Sequence, residues 1–141
     1  MDEAKQPGIN FDTVFLKEIE FKRLLKINSS QIDIDFTSHV SFSEDKMRLI
    51  YELGCTVNDK SGVFSLRCTM VGIFSCVNGA ENMTLAEFAK SNAPALIMPY
   101  IRELVTTTSI RAGLNPVVFP PINVVALFQA KTLGDAAEAN S

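Results

Sequence analysis

The chain is poor in the side chains from which metal and catalytic sites are built. It has one histidine, His39, and three cysteines, Cys55, Cys68 and Cys76, with no Cys-x-x-C spacing. A zinc or iron–sulfur centre needs more thiol or imidazole than this within reach. The cysteines stand in or beside apolar alternating runs, so they read as small buried hydrophobes kept reduced. Glycine is scattered, and Gly54, Gly62, Gly72 and Gly79 lack the spacing of a phosphate-cradling loop. Neither charge dominates: 13 Lys+Arg against 16 Asp+Glu give a net charge of -3, without the basic footprint of a nucleic-acid binder. No apolar run reaches the length that spans a bilayer. Met1 to Pro7 lacks the basic-then-apolar order of a signal peptide, so the expected compartment is the cytosol. The triplets Asn28-Ser29-Ser30 and Asn82-Met83-Thr84 match a glycosylation acceptor, whose machinery a cytosolic chain does not meet.

What the chain does have is apolar surface. At 47% hydrophobic over 141 residues it can bury the core of one domain. There is no internal repeat and no interdomain linker. The expected organisation is a flexible start over 1–10, a single domain over 11–133 and a small, polar, frayed tail over 134–141.

Four runs read as strands. Over 11–21, Phe11, Thr13, Phe15, Ile19 and Phe21 share one parity and Glu18 and Glu20 the other. Over 31–36, Ile32, Ile34 and Phe36 alternate with Asp33 and Asp35. Ser41 to Asp45 is turn-like, and a third run follows with Met47, Leu49, Tyr51, Leu53, Cys55 and Val57. Asn58-Asp59-Lys60-Ser61-Gly62 is a strong hairpin signal, and the fourth run carries Phe64, Leu66, Cys68, Met70 and Phe74. Short turns favour antiparallel neighbours, which predicts a four-stranded antiparallel sheet.

Helical signals come after the strands. Thr84 with Glu87 makes a capping box for a short helix. Asn92 caps a long one with Pro94 in its first turn, and Pro99 then has to kink or crowd it, so the segment needs packing support. Ile97, Tyr100, Ile101, Leu104 and Thr108 recur at helical spacing, and Gly113 is a natural stop. Asn123 can cap a last, shorter helix with Val124, Leu127 and Phe128. Strands first and helices after predict an α+β fold with both helices packed on one face of the sheet.

Some apolar surface exceeds what one core needs. The loop over 114–122 holds Leu114, Val117, Val118, Phe119 and Ile122, stiffened by three prolines. Such a loop can cover a core, line a groove or sit in an oligomer contact. Val14 and Leu16 in the first strand, with Val71 and Ile73 in the fourth, put apolar side chains on both parities, which suits association between subunits. Catalysis finds little support. His39 with Asp33 or Asp35 could be drawn as an acid–base pair, but no nucleophile or oxyanion site accompanies them. Arg102-Glu103 reads as a structural tie at a helix surface.

Gly72-Ile73-Phe74-Ser75, the segment Asn92 to Glu103 with its Pro-Tyr-x-Arg-Glu core, and Pro121-Ile122-Asn123-Val124-Val125-Ala126-Leu127-Phe128 resemble the SecB family of bacterial export chaperones. Lys17-Glu18-Ile19-Glu20-Phe21 also fits that family's first strand, so the resemblance covers most of residues 12–130. It implies a non-enzymatic holdase without ATP or other cofactor, assembled as a homotetramer, a dimer of dimers. Its groove would hold unfolded preproteins or other non-native polypeptides. By position, the groove residues are Ile32, Ile34, Phe36, Phe74, Val117, Phe119, Leu127 and Phe128. Members that deliver clients to the motor ATPase SecA use an acidic sheet surface; here Glu18 keeps one carboxylate while two other positions are Lys22 and Arg67. Cations there reverse the local field and weaken docking to a basic partner. Other SecB-like proteins bind the antitoxin of a toxin–antitoxin pair, and a SecB-fold scaffold without chaperone activity is a further alternative.

Overall fold

The computed structural model describes residues 8–25, 31–76, 84–117 and 119. Strands β1 (Ile9–Arg23), β2 (Ile32–Phe42), β3 (Arg48–Asp59) and β4 (Phe64–Cys76) are followed by helix α1 (Leu85–Arg111). The strands form one antiparallel sheet in the order β1-β4-β3-β2. β2, β3 and β4 follow one another as a meander, and β1 closes the sheet on the far side of β4. The α+β class and the four-stranded sheet are those expected. The shorter helix expected from Asn123, with the segments over 1–7 and 134–141, lies outside the described residues.

Local chemistry fixes both hairpins. Between β3 and β4, the buried Asp59 carboxylate accepts the Val63 amide at 2.9 Å, and Gly62 adopts φ 74°, where a side chain would be strained. Between β2 and β3, Asp45 accepts from Ser43 Oγ at 2.6 Å and from the Met47 amide at 3.0 Å. These bonds, the Ser43 one foremost, hold the Asp45 carboxyl below its ordinary pKa.

The core lies between α1 and the two central strands. Leu49, Tyr51, Leu53, Cys55 and Val57 of β3 and Phe64, Leu66, Cys68, Met70 and Phe74 of β4 are all buried, with the parity expected for each run. Phe88, Ala93, Ile97, Met98, Ile101 and Val105 of α1 close over them. Gly72 opens a gap on this face through which Ile97 approaches the sheet. Phe74 stacks on Phe11 and meets Phe88 edge-on, with ring centroids 4.7 Å and 5.0 Å apart. Cys55 and Cys68 are cross-strand partners inside this core. Their mutual hydrogen bond, with burial, raises the Cys55 thiol pKa well above normal, which suits an inert thiol.

Two expectations need correction. β1 does not keep one parity: register shifts between Phe11 and Thr13 and between Leu16 and Glu18 mark irregularities that exchange its faces. The cross-strand partners put Phe11, Val14, Leu16, Ile19 and Phe21 on the helix side, and Thr13 and Phe15 on the other side with Glu18 and Glu20. The apolar residues on both parities of β1 follow from these shifts. Second, Thr84 and Asn92 do not start separate helices. One helix runs from Leu85 to Arg111 with Pro94 and Pro99 inside it, capped by Thr84 Oγ1 accepting the Glu87 amide at 3.1 Å. The Asn92 side chain accepts from Ser91 Oγ instead of capping. Each proline leaves a carbonyl four residues back without its helical partner. Burial of Ala93, Pro94, Ile97 and Met98 against the sheet supplies the support that holds the helix through them.

Candidate binding surface

α1 packs on β3 and β4 and leaves the helix-side surfaces of both edge strands partly open. On β2, Ile32 and Val40 are each 37% exposed and Phe42 43%; on β1, Leu16 is 42% and Ile19 39% exposed. Register places Ile32, Ile34, Phe36, Ser38, Val40 and Phe42 on this same side of β2, because their cross-strand partners include the core residues Val57, Cys55, Leu53, Tyr51 and Leu49. Between β2 and the first turns of α1 lies a depression of about 210 Å³, lined largely by apolar atoms of Val40, Phe42, Tyr51, Ala86 and Ala89, with Lys90 at its side. Tyr51 is buried at its base, and burial raises its hydroxyl pKa against the opposing hydrogen bond with Ser38.

The loop after α1 closes part of this side. Val117 and Phe119 are 4% and 8% exposed, and the Phe119 ring meets Phe36 edge-on at 5.9 Å. Ser109 Oγ accepts the Val117 amide at 3.1 Å and donates to the Thr106 carbonyl, while Thr106 Oγ1 donates to the Val117 carbonyl at 2.8 Å. Of the three roles open to this loop, Val117 and Phe119 take the cover of the core. Arg23 of β1 reaches the Ala112 carbonyl at the end of α1 and ties the other edge strand to the helix terminus.

The residues read as groove lining therefore separate. Phe36, Val117 and Phe119 form one buried cluster, Ile34 is half-buried beside it, and Ile32 is at the open end of β2. Phe74 sits in the centre of the core at 0% exposure, between Phe11 and Phe88. Leu127 and Phe128 lie outside the described residues. Sequence reading missed Val40 and Phe42 because it ended the second strand at Phe36. The signal was present: both continue the even parity of Ile32, Ile34 and Phe36.

The opposite face of the sheet carries charge. Arg67 Nη2 lies 2.6 Å from Glu20 Oε2 and 4.0 Å from Glu18 Oε1, with all three side chains exposed. Lys22 is exposed on the same face, two cross-strand pairs further along and opposite Ser65. Lys17 pairs with Glu52 at 2.5 Å, and that hydrogen bond raises the lysine pKa. Glu18, Lys22 and Arg67 thus share one surface, but Arg67 offsets the carboxylates beside it. His39 Nε2 lies 3.4 Å from Ser41 Oγ, and Asp33 lies 3.9 Å from Lys60, so the imidazole and that carboxylate face different neighbours. Among the described residues no ion pair joins Arg102 to Glu103, which as consecutive helix residues point apart. Among the described residues no helix is long and apolar enough to cross a membrane, and no group of three His, Cys, Asp or Glu side chains could hold a metal ion.

Residues 2–134 match the family model described as preprotein translocase subunit SecB. The protein-export protein SecB of Azoarcus sp. (strain BH72) is 25% identical over 150 residues, covering 97% of this chain and 99% of that one. The protein-export protein SecB of Neisseria gonorrhoeae is 28% identical over 148 residues, covering 99% and 100%. Among solved structures, the Mycobacterium tuberculosis SecB-like chaperone Rv1957, in complex with a ChAD peptide from the Rv1956 HigA1 antitoxin, superimposes with a TM-score of 0.69. That match has 14% sequence identity and covers 85% of this chain and 96% of the other, which establishes the shared fold.

Proposed function

The chain belongs to the SecB family of non-enzymatic protein-export chaperones, and from that premise we propose that it is an ATP-independent holdase of the cytosol. It binds unfolded preproteins or other non-native polypeptides along the helix side of β2. The observation that carries this reading is the stripe of Ile32, Val40 and Phe42, each more than a third exposed, running past the buried Phe36–Phe119 pair. Many weak apolar contacts of this kind hold diverse chains without reading their sequence. Release follows mass action, since a client that folds leaves the binding-competent pool. Phe74, enclosed between Phe11 and Phe88 at the centre of the core, takes no direct part in this surface.

A homotetramer, as a dimer of dimers, agrees with the remaining exposed apolar residues. Phe15 and Ile50 lie on the helix-distal face, and Leu96, Tyr100 and Ile110 lie on α1. Lys22 and Arg67 favour a second reading of the client. With Arg67 offsetting Glu18 and Glu20, the helix-distal face is a weak dock for a basic motor such as SecA, and an antitoxin client that needs no motor fits it better. The test is the size of the native protein with and without a chemically unfolded client. A tetramer that co-elutes with the client and suppresses its aggregation at stoichiometric amounts is the expected result. A particle of any size that ignores the client would refute holding and return the chain to the scaffold alternative.

A further inference from the structure

We propose that Cys55 and Cys68 are a thiol-oxidation site: peroxide joins them in a reversible cross-strand disulfide, and the bond loosens the cover that Phe119 lays over Phe36. Formation of the bond does not depend on the holdase reading; its effect on clients does.

The two cysteines stand opposite one another on the central strands β3 and β4, at 1% and 0% exposure. Main-chain bonding fixes their spacing. Cys76 donates its amide to the Met47 carbonyl, one step beyond the Arg48–Ser75 pair that begins the ladder. Hydrogen-bonded pairs recur every second residue in an antiparallel ladder, so in this unbroken register Cys55 and Cys68 are such a pair, with Cα atoms about 5.5 Å apart. Disulfides span about 4.4–6.8 Å between Cα atoms, so the bond needs no change of register. Both side chains lie in the core beneath α1 and are joined by a hydrogen bond. That bond holds the Cys68 thiol below its ordinary pKa while raising that of Cys55. Cys68 is therefore the nucleophile and Cys55 the thiol that resolves it.

The chemistry closes on one peroxide. The Cys68 thiolate attacks a peroxide oxygen: an S–O bond forms, the O–O bond breaks, and the departing hydroxide takes up the proton that Cys68 released. The Cys55 sulfur then attacks the Cys68 sulfenic acid: the S–S bond forms, the S–O bond breaks, and water leaves with the Cys55 proton. Two thiols lose two electrons and one peroxide becomes two waters. A small thiol such as glutathione reverses the step by exchange. With both sulfurs under α1, oxidation waits on opening of the helix from the sheet, so the site answers sustained exposure to peroxide.

Register gives the bond its consequence. The pair is the middle of one row across the sheet, Phe36–Cys55–Cys68–Ile19. Opposite Cβ atoms stand about 4.5–5.5 Å apart, hydrogen-bonded pairs at the wide end, whereas a disulfide needs about 3.8 Å. Closing the bond draws β3 toward β4, and β2 follows through its own ladder. Phe36 then shifts under Phe119, whose ring meets it edge-on at 5.9 Å. A close-packed contact does not stretch to follow such a shift. On the holdase reading, this adds Phe36 to the apolar stripe of β2 under oxidising conditions.

The test treats the full-length protein with hydrogen peroxide, caps remaining thiols with N-ethylmaleimide and digests it with trypsin. Cleavage after Arg48, Lys60, Arg67 and Lys90 should give peptide 49–60 linked to peptide 68–90, two hydrogens lighter than their sum. Fragmentation should place the link on Cys68 rather than Cys76. A link on Cys76, two capped thiols, or Cys68 carried to sulfinic acid without a link would overturn the site. In the linked protein, hydrogen exchange at the Val117 amide should be at least threefold faster than in the reduced protein, and retention of a labelled unfolded client at least threefold greater. Unchanged exchange and retention in the linked protein overturn the switch. Dithiothreitol should reverse both effects; it does not reduce methionine sulfoxide, so effects that survive it belong to the five methionines and overturn the assignment. A protein that retains no client in either state refutes holding, and the linked peptides and Val117 exchange still decide the site.

Discussion

Gly72 should be among the least replaceable residues of the sheet. A Cβ at this position would lie 2.8 Å from Ile97 Cδ1, 3.0 Å from Ile97 Cγ1 and 3.0 Å from Phe74 Cε2. Carbon atoms in contact prefer about 3.5–4.0 Å, so a methyl here is too close to three atoms at once. Neither neighbour can swing into solvent, since Ile97 and Phe74 are each 0% exposed. Gly72→Ala should therefore cost about 1–3 kcal/mol, the usual range for overpacking a closed core. Ile97→Val removes the nearest atom and alone should cost about 0.5–1.5 kcal/mol. The double variant should be more stable than the sum of the two losses predicts, by about 0.5 kcal/mol or more. Rescue will be partial, because the contacts at 3.0 Å to Ile97 Cγ1 and Phe74 Cε2 remain. Urea unfolding of the four proteins at one fixed protein concentration measures the cycle. A neutral Gly72→Ala, or strictly additive losses, would refute the claim that α1 is seated through this gap.

Other outcomes follow from particular bonds. Asp59→Ala strands the buried Val63 amide at the β3–β4 turn and should cost about 1–3 kcal/mol in the same assay. Ser109→Ala removes the acceptor of the Val117 amide, so hydrogen exchange at Val117 should quicken more than exchange at the centre of α1. Because the Asp45 carboxyl pKa is depressed in the fold, its contribution is present above the ordinary aspartate range and lost as pH falls through the folded value. The melting difference between the parent and Asp45→Asn should accordingly be larger at pH 7 than at pH 3. Phe119→Ser removes the partner of Phe36 and should cost about 3 kcal/mol, with client retention falling further than this loss of stability explains. Parallel loss of stability and retention would assign Phe119 to the core alone.

The central half of this fold was legible because each residue there has one plausible neighbour. β3 and β4 are covered on their helix side, so Leu49 to Val57 and Phe64 to Met70 keep an apolar residue at every second position, and the period appears directly in the sequence. The edges were harder to read. On β2, Thr37, Ser38 and His39 interrupt the apolar pattern because an edge strand needs less of it, and the strand was read as ending where the pattern faded. On β1 the register shifts leave no mark in composition, so Thr13 and Phe15 were assigned to the wrong face. The helix start was misread for a related reason. Pro94 is a good first-turn residue by local rules, and only burial against the sheet, a tertiary effect, allows it ten residues after the Thr84 cap. Within the candidate site, resemblance by position grouped Phe36, Val117 and Phe119 with Phe74 and Ile32 as groove lining, yet position could not separate a residue enclosed in the core from one at the open edge. Phe74 shows the difference: it is equally apolar and far more enclosed than Ile32.

The surplus apolar surface is a consequence of geometry. A helix with its side chains is about 10–12 Å across, and neighbouring strands lie about 4.8 Å apart, so one helix covers little more than two strands. Here α1 seats on β3 and β4, pinned by Ile97 over Gly72, and the helix-side residues of β1 and β2 stay half-covered on either flank. A globular domain would close both flanks with further elements or make them polar. Among the described residues, Leu16 and Ile19 stay more than a third exposed on one flank, and Ile32, Val40 and Phe42 on the other. The flanks are not equivalent, because the first borders an edge broken by register shifts and the second an edge with an unbroken ladder. An apolar strip beside a broken edge can be covered by a surface of any shape. An apolar strip beside an unbroken edge offers side-chain contact and backbone pairing together, a combination that suits an extended, unfolded chain better than a folded surface.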